Sequence, residues 1–569
     1  MNILKNTVEK LLLDAINACG YADAISSNMQ IVKKSDRPDL SEYQSNIAMA
    51  LAKSLHKNPR EIANAIVQNI DTKDFTVSID GPGFINIKLS NEFIASAVAN
   101  LSFTPNILEN PQKIIVDYGG PNVAKSLHVG HLRSSIIGES LKNLARYKGY
   151  TVVGDIHLGD WGLPMGLIIA SIKESGKVPQ TVAELNPIYP MASKRSKEDE
   201  AFMATAQEET KKLQNGDAEN RTLWNNFKAI SVNDIKHTLS LLNVEFELWN
   251  GESDANDDVN FLVEEFRKKG FSKHSEGAEV IDLKDYPMNN ADVPPFIMVK
   301  SNGAVMYGMT DIATLYDRIT RQKADMVWYV VDSRQSLHFH QVFSTAKITG
   351  IKGNTELEHL GFGSVLGLDG KPLKTRSGDN VSLMELINSA LDMAQKKVNE
   401  NEKTKQLSDT AKADIARDVA ISAIKFADLI NPRTTDYIFN LDKFISFEGK
   451  TGPYILYTAV RIKSLLREAN IDTADAKIVL SNQSDRALAI KLNEFDDAID
   501  RAFDARGIHI LTQYIYELAT IFNDFYHNCK IMPEKDEILK KSWLKLSEKT
   551  LSAFETFANI IKINIPERM

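Results

Sequence analysis

The chain is expected to fold as an α/β core, with an α+β domain on its N-terminal side and an all-α bundle on its C-terminal side. Three observations lead there. Residues 113–156 read strand, helix, strand with short links, the unit of a parallel sheet. A polar, acidic, helix-prone stretch at 181–290 then breaks the pattern, and strand-like apolar runs resume beyond it. Past residue 400 only Gly449, Gly452 and Gly507 remain of 29 glycines, while apolar residues recur at helical spacing, as in a helical bundle.

Taken in order, Val8, Leu11, Leu12 and Ile16 form one face of an amphipathic helix, and Asp80-Gly-Pro-Gly-Phe-Ile-Asn86 is a turn entering a strand. Pro105 and Pro111 bracket a linker. Residues 113–118 form a buried-type strand, Leu132, Ile136 and Leu144 mark the apolar side of the next helix, and residues 151–156 form a second strand. After the stretch at 181–290, read as an insertion that splits the α/β domain, strands are expected at 295–299 and 326–331. Ile415, Val419, Ala423, Phe426 and Ile430, and then Ile508, Leu511, Ile515, Leu518, Phe522 and Phe525, repeat at helical spacing. The expected domains are 1–110, 111–400 with the insertion at about 181–290, and 401–569.

Composition agrees with several ordinary globular domains: 569 residues, 43 % hydrophobic and 25 % charged. Cys19 and Cys529 build neither a disulfide framework nor a thiolate zinc site, which suits a reducing compartment. The longest apolar runs fall short of the roughly 20 residues of a membrane span. Asp14 beside Leu11–Leu13 argues against a signal peptide. A cytoplasmic protein is expected. The net charge of −8 excludes an indiscriminate nucleic-acid binder. That charge lies in residues 181–290, with 13 Lys and Arg against 21 Asp and Glu. The rest of the chain is neutral and free to carry local basic surfaces toward an RNA.

Chemistry concentrates in Val116-Asp-Tyr-Gly-Gly-Pro-Asn-Val-Ala-Lys-Ser-Leu-His-Val-Gly-His-Leu-Arg133. A strand ends at Asp117, a Gly-Gly-Pro turn follows, and a helix begins near His128. His128 and His131 stand three apart and leave the first turn on one side. Gly130 between them removes a side chain, so that a flat or phosphorylated ligand can approach the backbone, and the helix N-terminus suits an anion. An isolated histidine pair usually caps or packs. Zinc would need further ligands at short spacing, with His157 the only loose candidate. The context of strand, glycine turn and helix start, with Asn122 and Lys125 in the approach, lifts this pair above capping.

Pro121-Asn-Val-Ala-Lys-Ser-Leu-His-Val-Gly-His131 resembles the His-Ile-Gly-His signature of class I aminoacyl-tRNA synthetases, and its extended form resembles arginyl-tRNA synthetases in particular. Gly159-Asp-Trp-Gly162, Trp249-Asn-Gly-Glu-Ser253, Tyr307-Gly-Met-Thr-Asp311 and Tyr329-Val-Val-Asp-Ser-Arg-Gln335 are similar to further family segments in the same order. Glu448-Gly-Lys-Thr-Gly-Pro-Tyr454 resembles the start of the family's anticodon-binding bundle, and Asn58-Pro-Arg-Glu61 and Gly83-Phe-Ile-Asn86 its N-terminal domain. The resemblance implies a Rossmann-like class I catalytic domain, a tRNA-contacting domain before it, and an anticodon-binding domain after it. It implies ATP with Mg²⁺ carried on it, L-arginine and tRNA(Arg) as partners, no structural metal, no membrane, and a monomer.

It also implies roles. Lys125, His128, His131 and Lys374 would be catalytic. Gly130, His128, His131, Gly363 and Lys371 would meet ATP. Tyr454, Tyr457 and Arg461 would meet tRNA. One departure stands out: where class I enzymes carry Lys-Met-Ser-Lys-Ser, this chain reads Asp369-Gly-Lys-Pro-Leu-Lys-Thr-Arg-Ser-Gly378. A subset of arginyl enzymes degrades that motif similarly and moves phosphate charge to the embedded lysine, here Lys125, so Lys125 and Lys374 are expected to share the work. The same stretch is not a P-loop, since Val365 stands where a glycine is needed and Pro372 where a Ser or Thr is needed.

For arginine, a planar cation with a fixed fork of donors, a selective pocket needs carboxylates and acceptors at low dielectric. The resemblance points to Asp117, Asn122, Glu252, Tyr307, Asp311 and Gln335. Their chemistry agrees: acids pair with the guanidinium, Tyr307 stacks on it, and Asn122 and Gln335 hold the amino and carboxylate ends. Taken singly, Asp311 reads as a solvated helix face and Gln335 as a helix cap. The resemblance implies two-step aminoacylation, adenylate formation and then transfer to the terminal adenosine through its 2′-hydroxyl, with tRNA required for the first step. Alternatives are a cysteinyl or glutamyl enzyme, a silent tRNA-binding paralogue, or a plain nucleotidylyltransferase. Near the bundle entry, Arg461, Lys463 and Arg467 are either a phosphate-facing run or a solvated face.

Overall fold

A computed structural model describes all residues except 1–2, 38–39 and 374–380, and Lys403 in its backbone alone. The N-terminal region is α+β: α1 (Ile3–Ala18), β1 (Lys33–Lys34), β2 (Tyr43–Ser45), α2 (Ile47–Leu55), α3 (Pro59–Gln68), β3 (Phe75–Asp80), β4 (Phe84–Leu89) and α4 (Asn91–Ala99). Its four strands form one antiparallel sheet in the order β1-β2-β4-β3. Leu4, Val8, Leu12 and Ile16 are the buried stripe of α1. Asn58 caps α3 through the Arg60 N–H, with Pro59 at its first position, as helix starts favour.

The α/β domain begins with β5 (Lys113–Tyr118), α5 (Val129–Tyr147), β6 (Thr151–Asp155) and α6 (Leu163–Ser175). Helices α7 (Val182–Leu185), α8 (Ile188–Arg195), α9 (Glu200–Gln214) and α10 (Ala218–Leu241) follow. Then come α11 (Asn256–Lys268), β7 (Lys273–Ser275), β8 (Ala278–Ile281), β9 (Phe296–Val299), α12 (Gly308–Thr320), β10 (Met326–Val330), α13 (Ser336–Ile348), β11 (Glu356–His359) and β12 (Val365–Leu366). Four parallel strands make the central sheet in the order β11-β10-β5-β6. β5, apolar at Ile114, Ile115 and Val116 and buried on both faces, reads as the central strand it is.

The stretch at 181–290 is subdivided. Its first run of helices, α7 to α10, ends at Leu241, and residues 248–251 bridge to the end of β6 and just beyond it, at Asp155–Leu248 and Leu158–Gly251. Residues 256–268 then pack in the same apolar cluster as β9 and α12. The expected strand at 295–299 forms, but in a separate antiparallel sheet β7-β8-β9 rather than in the parallel one.

The last third is helical: α14 (Leu383–Glu400), α15 (Asp409–Leu429), α16 (Leu441–Phe444), α17 (Gly452–Ala469), α18 (Gln483–Leu492), α19 (Phe495–Asp504), α20 (Ile508–Asn528) and α21 (Glu537–Ile561), with a two-residue β13 (Tyr437–Ile438) paired to β12. Among the described residues no helix is long and apolar enough to cross a membrane.

Candidate active site

In chain order the central strands run β5, β6, β10, β11, and in space β10 lies beside β5, so the connections diverge between those two strands. Ligands of open α/β sheets bind in that crevice, outside the C-terminal strand ends. One side chain ties the crevice together: Ser134 of α5 accepts the Gly119 N–H just past β5 (2.8 Å) and donates to the Val330 carbonyl at the end of β10 (2.7 Å).

The two histidines build the start of α5. His128 is the N-cap and its Nδ1 accepts the Gly130 N–H at 3.0 Å; His131 Nδ1 accepts the His128 N–H at 3.1 Å. This is a reciprocal capping box made of imidazoles. The rings lie 4.0 Å apart between centroids. Because each Nδ1 is an acceptor, each neutral ring carries its proton on Nε2. Burial and then the neighbouring His128 push His131 down to about 3, and burial followed by Lys125 also lowers His128. Near neutral pH both rings are uncharged. As uncharged rings they offer N–H donors. At Gly130 a Cβ would stand 2.8 Å from His128 Cε1. The glycine makes room for the capping ring.

Lys125 is exposed, with its Nζ 4.3 Å from the centre of the Tyr189 ring. Lys374 lies outside the described residues. Lys371 is exposed in a tight turn closed by the Gly367 N–H on its own carbonyl, at 2.7 Å. Gly363 is explained by chain packing, because a Cβ there would meet Asp436 Oδ1 at 2.5 Å and the Thr435 backbone at 2.8 Å.

The residues expected to read arginine gather at the strand ends. Glu252 follows the segment that bridges to β6, its N–H on the Leu158 carbonyl at 3.0 Å. Burial pushes its carboxyl up to about 7; His157 opposes the shift, and Asp311 and Asp160 add to it. Asp311, in the first turn of α12, accepts from or donates to His338 Nε2 at 2.7 Å, and Tyr307 stacks on the same imidazole at 5.0 Å. Tyr307 is 60 % exposed, so one face of its ring stays open. Asn122 is exposed and bridges to Gly159, where its Oδ1 occupies the space a Cβ would need. Gln335 is exposed at the start of α13 and makes no side-chain cap, so the plain capping role is excluded.

Asp117 behaves differently. Its Oδ2 is held at 2.6 Å by Arg318 Nη2, which also holds Asp155 Oδ2 at 2.7 Å, with Arg318 fully buried. This carboxylate already has its guanidinium. Sequence reasoning missed Arg318 and His338, since no motif marks them, although Tyr307, Asp311 and Arg318 lie four and seven residues apart and so share a face of α12. It also missed Asp160, inside the quoted Gly159–Gly162 segment, which accepts the Ser253 N–H and Oγ–H (2.9 and 2.7 Å) and the Lys228 ammonium and so fixes the loop that carries Glu252.

In the bundle, Tyr454, Tyr457 and Arg461 stand on α17. Arg461 lies over the rings of Tyr457 (4.8 Å) and Tyr526 (5.4 Å) and donates to Asn523 Oδ1 at 2.6 Å, while Asn523 donates to the Tyr454 hydroxyl at 2.9 Å. Tyr457, Arg461, Tyr526, Arg467, Lys530 and Arg568 line a cavity of about 790 Å³. Lys463 instead pairs with Glu567 at 2.6 Å. Among the described residues, no group of three His, Cys, Asp or Glu side chains could hold a metal ion.

Comparison with known proteins agrees along the whole chain. A family model described as tRNA synthetases class I (R), catalytic domain, matches residues 94–441; an arginyl tRNA synthetase N terminal domain matches 5–89 and a DALR anticodon binding domain matches 455–569. An arginine–tRNA ligase of Agathobacter rectalis is 40 % identical over 100 % of both chains. The crystal structure of arginyl-tRNA synthetase from Plasmodium falciparum superposes with a TM-score of 0.83 at 27 % identity, covering 100 % of this chain and 99 % of that one. The Thermus thermophilus arginyl-tRNA synthetase shares the fold, with a TM-score of 0.82 at 23 % identity over 100 % of both chains.

Proposed function

The chain belongs to the arginyl-tRNA synthetase family of class I, and on that premise we propose how its own residues divide the reaction. It activates arginine with ATP and transfers it to tRNA(Arg). In the first step an oxygen of the arginine carboxylate bonds to the α-phosphorus of ATP, the bond to the β-phosphate oxygen breaks, and pyrophosphate leaves. In the second, the terminal adenosine hydroxyl bonds to the acyl carbon and AMP leaves. No covalent enzyme intermediate is required, so the residues contribute positioning and electrostatics.

The histidine capping box carries this reading. Two neutral imidazoles, each locked with Nε2–H outward by a backbone N–H, are pre-set donors for phosphate oxygens beside a helix N-terminus. Positive charge on the phosphates then falls to Lys125, to Lys374 and Lys371 of the degraded motif, and to Mg²⁺ arriving with ATP. Glu252 and Asp311 take the substrate guanidinium, Tyr307 stacks on it, and Asn122 and Gln335 hold its amino and carboxylate end. A site of this kind rejects citrulline or lysine by ~10⁴-fold or more, because buried acceptors would be left unpaired. Asp117 acts through Arg318 as a positioning residue rather than on the substrate.

For tRNA, residues 1–110 and the bundle from 401 are assigned the contacts outside the acceptor end, with the cavity of Tyr457, Arg461 and Tyr526 suited to a base held between aromatic and guanidinium planes. The enzyme is taken to act as a monomer in the cytoplasm. The test is pyrophosphate exchange with each of the twenty amino acids, with and without tRNA. Exchange is expected with arginine alone and only when tRNA is present; full exchange without tRNA, or with another amino acid, overturns the reading. Replacing His131 with Ala should slow adenylate formation by about a hundredfold or more while arginine binding stays within about twofold; equal loss of both contradicts its role.

A further inference from the structure

The helical insertion holds three consecutive residues of the loop that leads into the histidine turn. Ala124 donates its N–H to Ser231 Oγ on α10 at 2.9 Å. Its φ is +61°, a conformation an L-residue keeps only when its surroundings fix it. Ser126 Oγ accepts from the Asn186 side chain, directly after α7. Between them, Lys125 sets its ammonium over the ring of Tyr189 on α8. Val123 and Ala124 are buried in one apolar cluster with Trp161, Leu185, Trp224 and Phe227, so the loop is packed into the insertion rather than laid across it.

The choice of an aromatic partner matters. A lysine ammonium on its four-carbon stem is mobile. A carboxylate at this place would restrain it but would also neutralise it and compete with phosphate. The face of a phenol ring attracts the charge without consuming it and leaves N–H donors for an anion. We infer that the insertion is a working part of the nucleotide site and that Tyr189 is a positioning residue that aims Lys125 at the phosphates of ATP. This rests on the phosphate role of Lys125 given above, which the experiment tests separately.

Steady-state exchange is measured on the full chain with tRNA present, for Tyr189→Leu, Tyr189→Phe, Lys125→Met and the double variant Tyr189→Leu/Lys125→Met. Tyr189→Leu should lower kcat/KM for ATP about tenfold with the KM for arginine unchanged. Tyr189→Phe, which keeps the ring face, should restore all but about threefold of that loss. In the Lys125→Met background, Tyr189→Leu should change the rate by less than about twofold, because the two residues act as one unit. Losses that multiply in the double variant, equal losses in the Phe and Leu variants, or a loss carried by the arginine KM each overturn the inference. If Lys125→Met retains the parent kcat/KM for ATP, the reading of Lys125 fails and the inference falls with it. If Lys125→Met is impaired and Tyr189→Leu is not, only the inference fails. Should Tyr189→Leu lose its fold by circular dichroism, Asn186→Ala loosens the same loop without opening the apolar cluster. It should lower the same parameter about threefold, and not at all in Lys125→Met; no loss, or the same loss in both backgrounds, overturns the inference.

Discussion

Two groups of carboxylates stand at the same edge of the central sheet, and the chain treats them oppositely. Asp117 and Asp155 share the fully buried Arg318 guanidinium at 2.6 and 2.7 Å. Burial raises the Asp117 pKa, the guanidinium opposes that rise, and Arg318 itself is held above its ordinary value by the acids around it. Glu252 has Asp311, Asp160 and His157 as neighbours, while Asp311 is bonded to the His338 imidazole at 2.7 Å; burial, with the repulsion of the two other acids, leaves Glu252 at about 7. A cation built into the fold makes the first group structural. Acids kept close without a comparable built-in guanidinium make the second group a recognition site, since a ligand cation relieves both burial and repulsion.

The sharpest way to break this contrast is to remove the built-in cation. Arg318→Leu leaves two buried carboxylates facing one another and should cost about 3–5 kcal/mol of stability, read by chemical denaturation. A stability loss under about 1 kcal/mol would mean that the triad is not the clamp described. Glu252→Gln should do the reverse. Stability should hold or rise slightly, because a partly buried acid is relieved, while kcat/KM for arginine falls about a hundredfold or more, in line with truncation of a buried charge partner. A variant that binds arginine normally would remove Glu252 from the pocket.

The pH dependence sharpens the same point with a smaller effect. Below about 7 Glu252 is protonated in the free protein, so arginine must displace a proton to form the ion pair. The KM for arginine should therefore fall as pH rises from 6 to 8, about tenfold for one group titrating near the middle of that range. The dependence should vanish in Glu252→Gln. Stability runs the other way: this carboxyl titrates higher in the folded chain than in the unfolded one. Its favourable contribution is thus complete below the unfolded value of 4.5 and is lost as pH rises through about 7. A KM that rises with pH over this range contradicts the assignment.

Much of this was legible in the sequence because local signals and global role coincide there. The strand at 113–118, the helix start at His128 and the bundle from its helical spacing all rest on periodicity and turns, and they form where expected. The family resemblance named Glu252, Tyr307 and Asp311, which lie at the strand ends. What was hidden depends on long-range placement. Arg318 lies in the last turn of α12, where a charge ordinarily faces water, and only the fold brings it to two strand ends 201 and 163 residues away. The sheet to which β9 belongs was not legible, because a short apolar run carries no direction. Tyr189 looked like one more residue of a polar insertion; its meaning comes only from the ammonium above it.

The bundle repeats the contrast at its surface. Arg461 and Lys463 are two residues apart on α17, and as sequence they are alike. Arg461 is fixed by Asn523 and stacked against Tyr457 and Tyr526 on the wall of the cavity. Lys463 reaches the chain's own C-terminal segment, bonding the Ile565 carbonyl at 3.2 Å and pairing with an exposed Glu567. A pair whose carboxylate stays exposed to water contributes about 0–1 kcal/mol. Arg461→Ala should raise the KM for tRNA about tenfold, the scale of one lost stacking contact. Lys463→Ala should change it by less than about twofold and stability by less than about 1 kcal/mol. The difference between the two variants is the informative quantity. If both raise the tRNA KM equally, the basic run acts as a diffuse charged surface and the cavity is not a base-reading pocket. If only Arg461 matters, the same rule governs both ends of the molecule: a cation bound by its own chain is architecture, and one held open against aromatic faces is recognition.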